Sequence, residues 1–322
     1  MSDAVIETDC LTRKFAVRGK GRKVVTRTTM CAVDNLQLRV SPGESVGYIG
    51  ANGAGKSTTI KMLVGILVPT SGTVRTCGLD PHRQRRQLAA RVGVVFGQRS
   101  QLWWDLPVRE SFEILAAIHR LPAADASART AELTEQLELG DFVATPVRQL
   151  SLGQRMRAEV AAALLHRPRL VILDEPTIGL DVLSKQRLRE FLVTERLSHG
   201  TTLLLTTHDM GDIERLCERV LVVDHGSTVY DGSLNGLAQT AGSDRILVLD
   251  FVEATTDLTG IPHTKHLGSE VGGARQRLSF DSENTTAAMV LAAVGERAEL
   301  RDLTIEEPDI EDVVRRIYQA RR

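Results

Sequence analysis

The stretch Val46-Gly47-Tyr48-Ile49-Gly50-Ala51-Asn52-Gly53-Ala54-Gly55-Lys56-Ser57-Thr58 decides the fold. Residues 35 to 49 alternate apolar and polar side chains and end in the apolar run Val46 to Ile49, which reads as strands leading into a glycine-rich loop. Gly55 to Leu67 then reads as a helix, because Ile60, Leu63, Val64 and Leu67 recur at helical spacing. Between strand and helix, Gly50 to Ser57 fits the pattern G-x-x-x-x-G-K-[ST]. Glycines allow a turn tight enough for successive backbone N–H groups to converge on one anion. The helix that follows points its positive end at the same place. Lys56 supplies a cation for the β- and γ-phosphates, and the Ser57 hydroxyl supplies a ligand for Mg²⁺. The pattern therefore implies a nucleoside triphosphate site lined by Gly50, Asn52, Gly53, Ala54, Gly55, Lys56, Ser57 and Thr58. A glycine turn that serves only the fold is the plain alternative, and the flanking strand and helix argue against it.

Two other apolar runs end in groups suited to this chemistry. Leu170-Val171-Ile172-Leu173-Asp174-Glu175 reads as a buried strand closing on two carboxylates. Beside a glycine loop, Asp174 is expected to bind Mg²⁺ through water and Glu175 to polarise the attacking water. Leu203-Leu204-Leu205-Thr206-Thr207-His208 is a second such run. Its strand is expected next to the one feeding the glycine loop, which would carry the His208 imidazole to the γ-phosphate. The expected catalytic groups are thus Lys56, Glu175 and His208, and the expected metal ligands include Ser57 and Asp174.

The remaining chain supports an α/β fold. Residues 107 to 167 read as mainly helical: one helix opens at Pro107, another spans Ser127 to Leu139, and a third starts near Ser151. Strands return at Leu170 to Leu173, Thr202 to Leu205 and Val220 to Val223, with a helix from about Val182 to Leu197 separating the first two. That rhythm predicts right-handed crossovers and a largely parallel sheet. Residues 1–237 are read as the main domain, with a helical subdomain at about 99–167, and 238–244 as a linker. Residues 245–322 are read as a small α+β domain closed by a helix with an Ile310, Val313, Val314, Ile317, Tyr318 stripe.

With 42% hydrophobic and 25% charged residues and a net charge of -1, the 322-residue chain has no global attraction for nucleic acid or acidic membranes. Cys10, Cys31, Cys77 and Cys217 are scattered without a C-x-x-C pair, so neither a zinc site nor a disulfide framework is indicated, and a reducing cytoplasmic setting fits. The N-terminus carries no secretory signal, and no run approaches the ~18 apolar residues that span a bilayer. If the protein serves a membrane, another chain must supply the spanning part. Seven basic residues between Arg13 and Arg27 occur with no acidic residue from Cys10 to Val33. A solvated hairpin loop and a contact with anionic lipid headgroups both fit that run.

Taken in order, these residues closely resemble the nucleotide-binding subunits of ABC transporters. Leu150-Ser151-Leu152-Gly153-Gln154 is similar to the family signature L-S-G-G-Q, with Leu152 where the pattern has glycine. Gln98 resembles the Q-loop glutamine, Gly179-Leu180-Asp181 the D-loop, and Thr207-His208-Asp209 the H-loop. Phe15 is similar to the aromatic that stacks on adenine. The resemblance implies a P-loop ABC ATPase domain with mixed sheet and helical subdomain, binding ATP and Mg²⁺. It places Phe15, Gln98, Ser151, Gly153, Gln154 and Asp181 at the nucleotide, with Gln98 also a metal ligand. It further implies a head-to-tail dimer, in which Ser151 and nearby N–H groups at a helix start face the γ-phosphate held by the other subunit.

Phe96 to Pro107 and the tail Asp302 to Asp312 resemble the ATPases of ABC-2-type exporters, including drug-resistance and viologen-exporter relatives. That branch implies transmembrane permease partners, a position on the cytoplasmic face of the membrane, and efflux of a drug or other small molecule. Trp103 and Trp104 are either core residues of the helical subdomain or part of a groove that receives a membrane subunit. A soluble ABC ATPase acting on ribosomes or DNA is the main alternative. Such proteins usually carry two ATPase units or a long coiled-coil insert, and this chain has a single glycine loop. A P-loop kinase or GTPase would leave the ABC elements unexplained, and no N-K-x-D motif is present.

Overall fold

The computed structural model describes residues 4–18, 27–97, 100–240, 244–281, 284–306 and 313–314. The chain divides into two compact units, Met1–Gly232 and Ser233–Arg322. The first contains β1 (Ile6–Arg18), β2 (Arg27–Val40), β3 (Ser45–Gly50), α1 (Lys56–Leu63), β4 (Ser71–Thr76), α2 (Arg85–Ala89) and β5 (Val92–Val95). A helical stretch follows: α3 (Val108–His119), α4 (Ala123–Gln136) and α5 (Leu152–Leu164). The unit closes with β6 (Leu170–Asp174), α6 (Val182–His199), β7 (Thr202–Thr206), α7 (Met210–Leu216), β8 (Arg219–Asp224) and β9 (Ser227–Ser233).

Six strands form the main sheet in the order β5-β6-β7-β3-β8-β9. The pairs from β5 to β8 are all parallel. Parallel strands covered on both faces need continuous apolar sequence rather than alternation. The Leu170–Leu173 and Leu203–Leu205 runs meet that need, and all seven side chains are buried. A second, antiparallel sheet in the order β2-β1-β4 packs Leu11, Leu36 and Leu38 into the same core as Tyr48, Ile60, Leu63, Ile172 and Leu221. The β1–β2 ladder runs out to Arg18 opposite Arg27. Most of the basic run read from the sequence, residues 19 to 26, lies outside the described residues.

Two helix boundaries differ from the sequence reading. The helix after the glycine loop ends at Leu63 rather than Leu67. The chain turns at Gly65, with φ 75, where the Gly65 N–H donates to the Met62 carbonyl at 3.2 Å and the Ile66 N–H to the Lys61 carbonyl at 2.8 Å. This paired termination needs a left-handed residue, and a Cβ on Gly65 would lie 2.0 Å from the Pro81 carbonyl oxygen. Helix α4 begins at Ala123, not Ser127, because Pro122 pre-sets the entry and the Ala126 N–H already donates to the Pro122 carbonyl. It stops at Gln136, ahead of Glu138 at φ 50.

The helical stretch is fastened to the sheet by close backbone contact and by buried charge. A Cβ on Gly93 of β5 would lie 2.1 Å from the Ala163 carbonyl oxygen of α5, so this strand and this helix approach as only glycine permits. Arg129 of α4 is 2% exposed and donates to Glu195 of α6 at 2.6 Å. Glu132 and the Leu164 carbonyl also lie on its guanidinium. The pair links the helical stretch to α6, the helix that connects β6 and β7.

The second unit holds α8 (Leu234–Thr240), β10 (Asp244–Phe251), β11 (Thr264–Glu270), β12 (Arg275–Asp281), α9 (Ala287–Gly295) and β13 (Leu300–Glu306). Its strands form an antiparallel sheet, β11-β12-β10-β13, around Leu247, Leu249, Leu278, Phe280, Val290 and Val294. The linker read at 238–244 is corrected in part: helix α8 occupies Leu234–Thr240, started where the Ser233 hydroxyl accepts the Gly236 N–H and held by buried Leu237. Of the closing helix read from the Ile310 stripe, only Val313 and Val314 lie among the described residues.

Removing one partner of a buried ion pair strands the other charge in a low-dielectric interior. Arg129→Ala is therefore expected to lower unfolding stability by about 3–5 kcal/mol in a denaturant titration, and a loss below about 1 kcal/mol would contradict this role for the pair.

Candidate functional site

The site forms where β3, β6 and β7 end on one edge of the main sheet. The glycine turn starts at Gly50, whose Cβ position lies 2.8 Å from the Val223 carbonyl oxygen of β8. Gly53 and Gly55 hold φ of 87 and 100, conformations that side chains disfavour. A Cβ on Gly55 would also lie 2.2 Å from the Ala32 carbonyl oxygen. The Ala54 carbonyl accepts the Gly226 N–H at 3.1 Å, which pins the turn against the β8–β9 connection. Asn52 and Ser57 are exposed, Thr58 is partly so, and Ala54 is buried.

The Lys56 ammonium folds back over the loop and donates to the Gly50 and Ala51 carbonyl oxygens. Burial pushes its pKa down, while the nearby carboxylates Glu175 and Asp174 pull it up. Asp174 ends β6 and accepts the Thr206 hydroxyl of β7. Glu175 follows at φ 55, a strained conformation for a residue with a side chain. Its N–H donates to the Thr206 carbonyl at 2.9 Å, which holds it on the parallel ladder despite that strain. The Glu175 carboxylate accepts the His208 N–H at 3.3 Å and lies 3.4 Å from His208 Nε2. Burial raises the Glu175 pKa, and His208 draws it down. The strand order thus brings Lys56, Asp174, Glu175 and His208 together, a cation, two carboxylates and an imidazole at one sheet edge.

The support beneath these groups was not foreseen from sequence. Asp212, fully buried on α7, accepts the hydroxyls of Thr177 and Thr207 and the Arg189 guanidinium of α6. Arg189 and Lys185 also bond Asp209. This network locks the turn after Glu175 and the backbone before His208 to helices α6 and α7. A sequence signal was present: Asp212 sits on the same helical face as buried Ile213 and Leu216, where an unpaired carboxylate would be costly.

The other expected residues occupy different places. Ser151 caps α5: its hydroxyl accepts the Gln154 N–H at 3.2 Å, and the Gln154 side chain accepts the Ser151 N–H at 2.9 Å. The departure from the signature has a visible role, because Leu152 lies over Gly179, where a Cβ would come 2.2 Å from its Cδ2. Gly153 is tight against Leu180, with 3.1 Å to the Cβ position. Among the described residues, no hydrogen bond joins Ser151, Gly153 or Gln154 to the glycine turn. Asp181 caps α6, accepting both the N–H and the hydroxyl of Ser184. Phe15 pairs across strands with Met30, two positions from Ala32, and carries the Arg13 guanidinium 4.7 Å from its ring centre. Gln98 lies outside the described residues. Trp103 and Trp104 are 37% and 52% exposed, so they are not core residues of the helical stretch.

Comparison with known proteins agrees with this arrangement. A family model described as ABC transporter matches residues 33–178. Nod factor export ATP-binding protein I of Paraburkholderia xenovorans (strain LB400) is 35% identical, across 98% of this chain and 98% of its own length. Daunorubicin resistance ATP-binding protein DrrA3 of Streptomyces coeruleorubidus is 33% identical over 88% of this chain and 89% of its own. A solved post-hydrolysis dimer of an ATP-binding cassette, bound to ADP and Pi, matches with a TM-score of 0.63 and 25% identity over 71% of this chain and 98% of that one. No helix among the described residues is long and apolar enough to cross a membrane. A glycine loop and strand-end acids in this order, on this sheet and with relatives matched nearly end to end, leave one conclusion: the chain belongs to the ABC transporter family, as an ATP-binding ATPase subunit.

Proposed function

We propose that this subunit binds Mg-ATP at the glycine turn, hydrolyses it with Glu175 as base, and so drives an ABC-2-type exporter of small molecules. The observation that carries the reading is the meeting of Lys56, Asp174, Glu175 and His208 at the ends of β3, β6 and β7. Lys56 neutralises the β- and γ-phosphates. The turn's N–H groups and the start of α1 supply the remaining donors. Glu175 takes a proton from the attacking water, and its partial burial makes it a stronger base than an exposed carboxylate. His208, bonded to Glu175 through its own backbone N–H, holds the γ-phosphate or the water in line.

The donor set suits Mg²⁺. The exposed Ser57 hydroxyl and the Asp174 carboxylate are hard oxygen ligands of the kind that ion prefers, and Gln98 would add a third. Bound there, the ion would offset charge on the β- and γ-phosphates.

A second copy of the chain completes the proposed site. Once Ser151 and Gln154 have bonded one another, the amides of Leu152 and Gly153 remain at the α5 start without intrahelical partners. They suit an anion presented by another subunit. Leu152, which covers Gly179, is exposed, and so are Ile178, Val182 and Leu183 on either side of that glycine in the chain, Val182 to 81%, as a surface awaiting cover would be. The dimeric cassette among the structural relatives supports this reading. Trp103 and Trp104, exposed and with Arg155 5.9 Å from the Trp104 ring, suit a contact with the permease at the cytoplasmic face of the membrane. Relatives named for Nod factor export and daunorubicin resistance support export as the direction.

Lys56→Ala should weaken binding of a fluorescent ATP analogue by about tenfold or more, read by titration; retained affinity would remove the glycine turn from the nucleotide site. His208→Ala should slow phosphate release by about 10²-fold while ATP affinity stays within about threefold, and turnover at the wild-type rate would remove His208 from the reaction.

A further inference from the structure

Glu159 is a buried carboxylate in the middle of α5, among alanines, and the ATP chemistry described above makes no use of it. Its hydrogen-bond partners are neutral donors from one short segment, and Arg155, one turn back on α5, adds an attractive charge. The Ser100 hydroxyl donates to Glu159 Oε1, and the Gln101 N–H donates to Oε2 at 3.1 Å. The Gln101 side chain returns along the helix and donates to the Glu159 carbonyl at 2.9 Å. Ser100 in turn accepts the Leu102 N–H at 3.1 Å, and Leu102 is buried. Both carboxylate oxygens are thus satisfied, as a buried carboxylate requires. Burial raises the Glu159 pKa, and the bonds from Ser100 and Gln101 oppose the rise.

The position of this clamp gives it meaning. Ala163, one helical turn further along α5, is where the helix backbone touches Gly93 of β5. One face of α5 therefore holds both β5 itself and the segment that leaves it. Ser100 stands two residues after Gln98 in the chain. The same helix begins at Ser151, eight residues and about 12 Å of helix before Glu159.

We propose that Glu159 is a positioning residue for ATP hydrolysis: it ties the segment leaving β5 to the helix that begins at Ser151, so that the two move as one body. An apolar side chain could fill the volume, but it could not bond Ser100 and Gln101. The inference rests on the ATPase reading above and adds a mechanical link to it. A shift of the segment after Gln98 is carried straight into the signature end of α5, and the reverse.

The test is a double-mutant cycle on the full-length chain with Ser100→Ala, Glu159→Gln and the double variant, and Lys56→Ala as the blank. Each single variant is expected to lower kcat by about tenfold, with KM and the Kd for a fluorescent ATP analogue within about twofold of wild type. The double variant should be no slower than the slower single one, because both substitutions cut the same link. Ser100→Ala leaves Glu159 Oε1 without its donor and should lower the unfolding midpoint, so turnover is read at a temperature where circular dichroism shows every variant fully folded, and its loss there cannot be ascribed to misfolding. Wild-type kcat in that variant, or rate losses that multiply in the double variant, would overturn the proposal. Wild-type turnover no higher than the Lys56→Ala blank would overturn the ATPase reading itself, and this inference with it.

Discussion

Three pieces of backbone meet at Ala32, and the site depends on how closely they do so. Gly55 of the glycine turn and Gly226 of the β8–β9 connection both stand where a Cβ would strike the Ala32 carbonyl oxygen, at 2.2 and 2.9 Å. The Gly226 N–H bonds the Ala54 carbonyl at 3.1 Å, and the Asp34 N–H bonds the Gly226 carbonyl at 2.8 Å. His225 and Gly226 both take positive φ, as a two-residue hairpin turn requires. The glycine turn is thus gripped between the antiparallel sheet and the edge of the main sheet. Its amides are fixed in direction before any anion arrives, and such preorganisation removes an ordering cost from binding.

The parallel order β6-β7-β3 then sets which side chains face that turn. Thr206 is the common member: its hydroxyl holds Asp174 and its carbonyl holds the strained Glu175 backbone. Lys56 meanwhile rests on carbonyl oxygens of its own loop, neutral acceptors that a phosphate would outcompete. The arrangement is poised for a multiply charged anion. Asp212 and Arg189 hold the far side of this edge, so that Glu175 and His208 move with α6 and α7 rather than independently.

The residues that shape backbone were the most legible in the sequence. The glycine turn, the two apolar runs and the Ser151 cap each follow from local chemistry within a few residues, and the fold class followed from their order. What escaped the sequence was set by contacts between distant residues. Thr177 and Asp212 are far apart along the chain, as are Ser100 and Glu159, and no local pattern joins them. Strand β11, Thr-Lys-His-Leu-Gly-Ser-Glu, is too polar to announce itself, because an edge strand on a small sheet has little to bury. Val64 and Leu67 continue the apolar stripe of α1 beyond its end, whereas the close approach of Pro81 at Gly65 stops the helix at Leu63. A role for Asp181 at a nucleotide rests on family resemblance, and one for Ser151 rests on that resemblance and on its place at a helix start. Within one chain both are helix caps, and only a second copy would give them a phosphate to face.

In the proposed dimer each chain carries half of an ATP site. Sedimentation of Glu175→Gln with and without Mg-ATP tests it most directly, since that substitution removes the base and keeps the volume. Monomer without nucleotide and dimer with it are expected, each dimer holding ATP that is not turned over. A chain that binds ATP yet stays monomeric at every nucleotide concentration would contradict it.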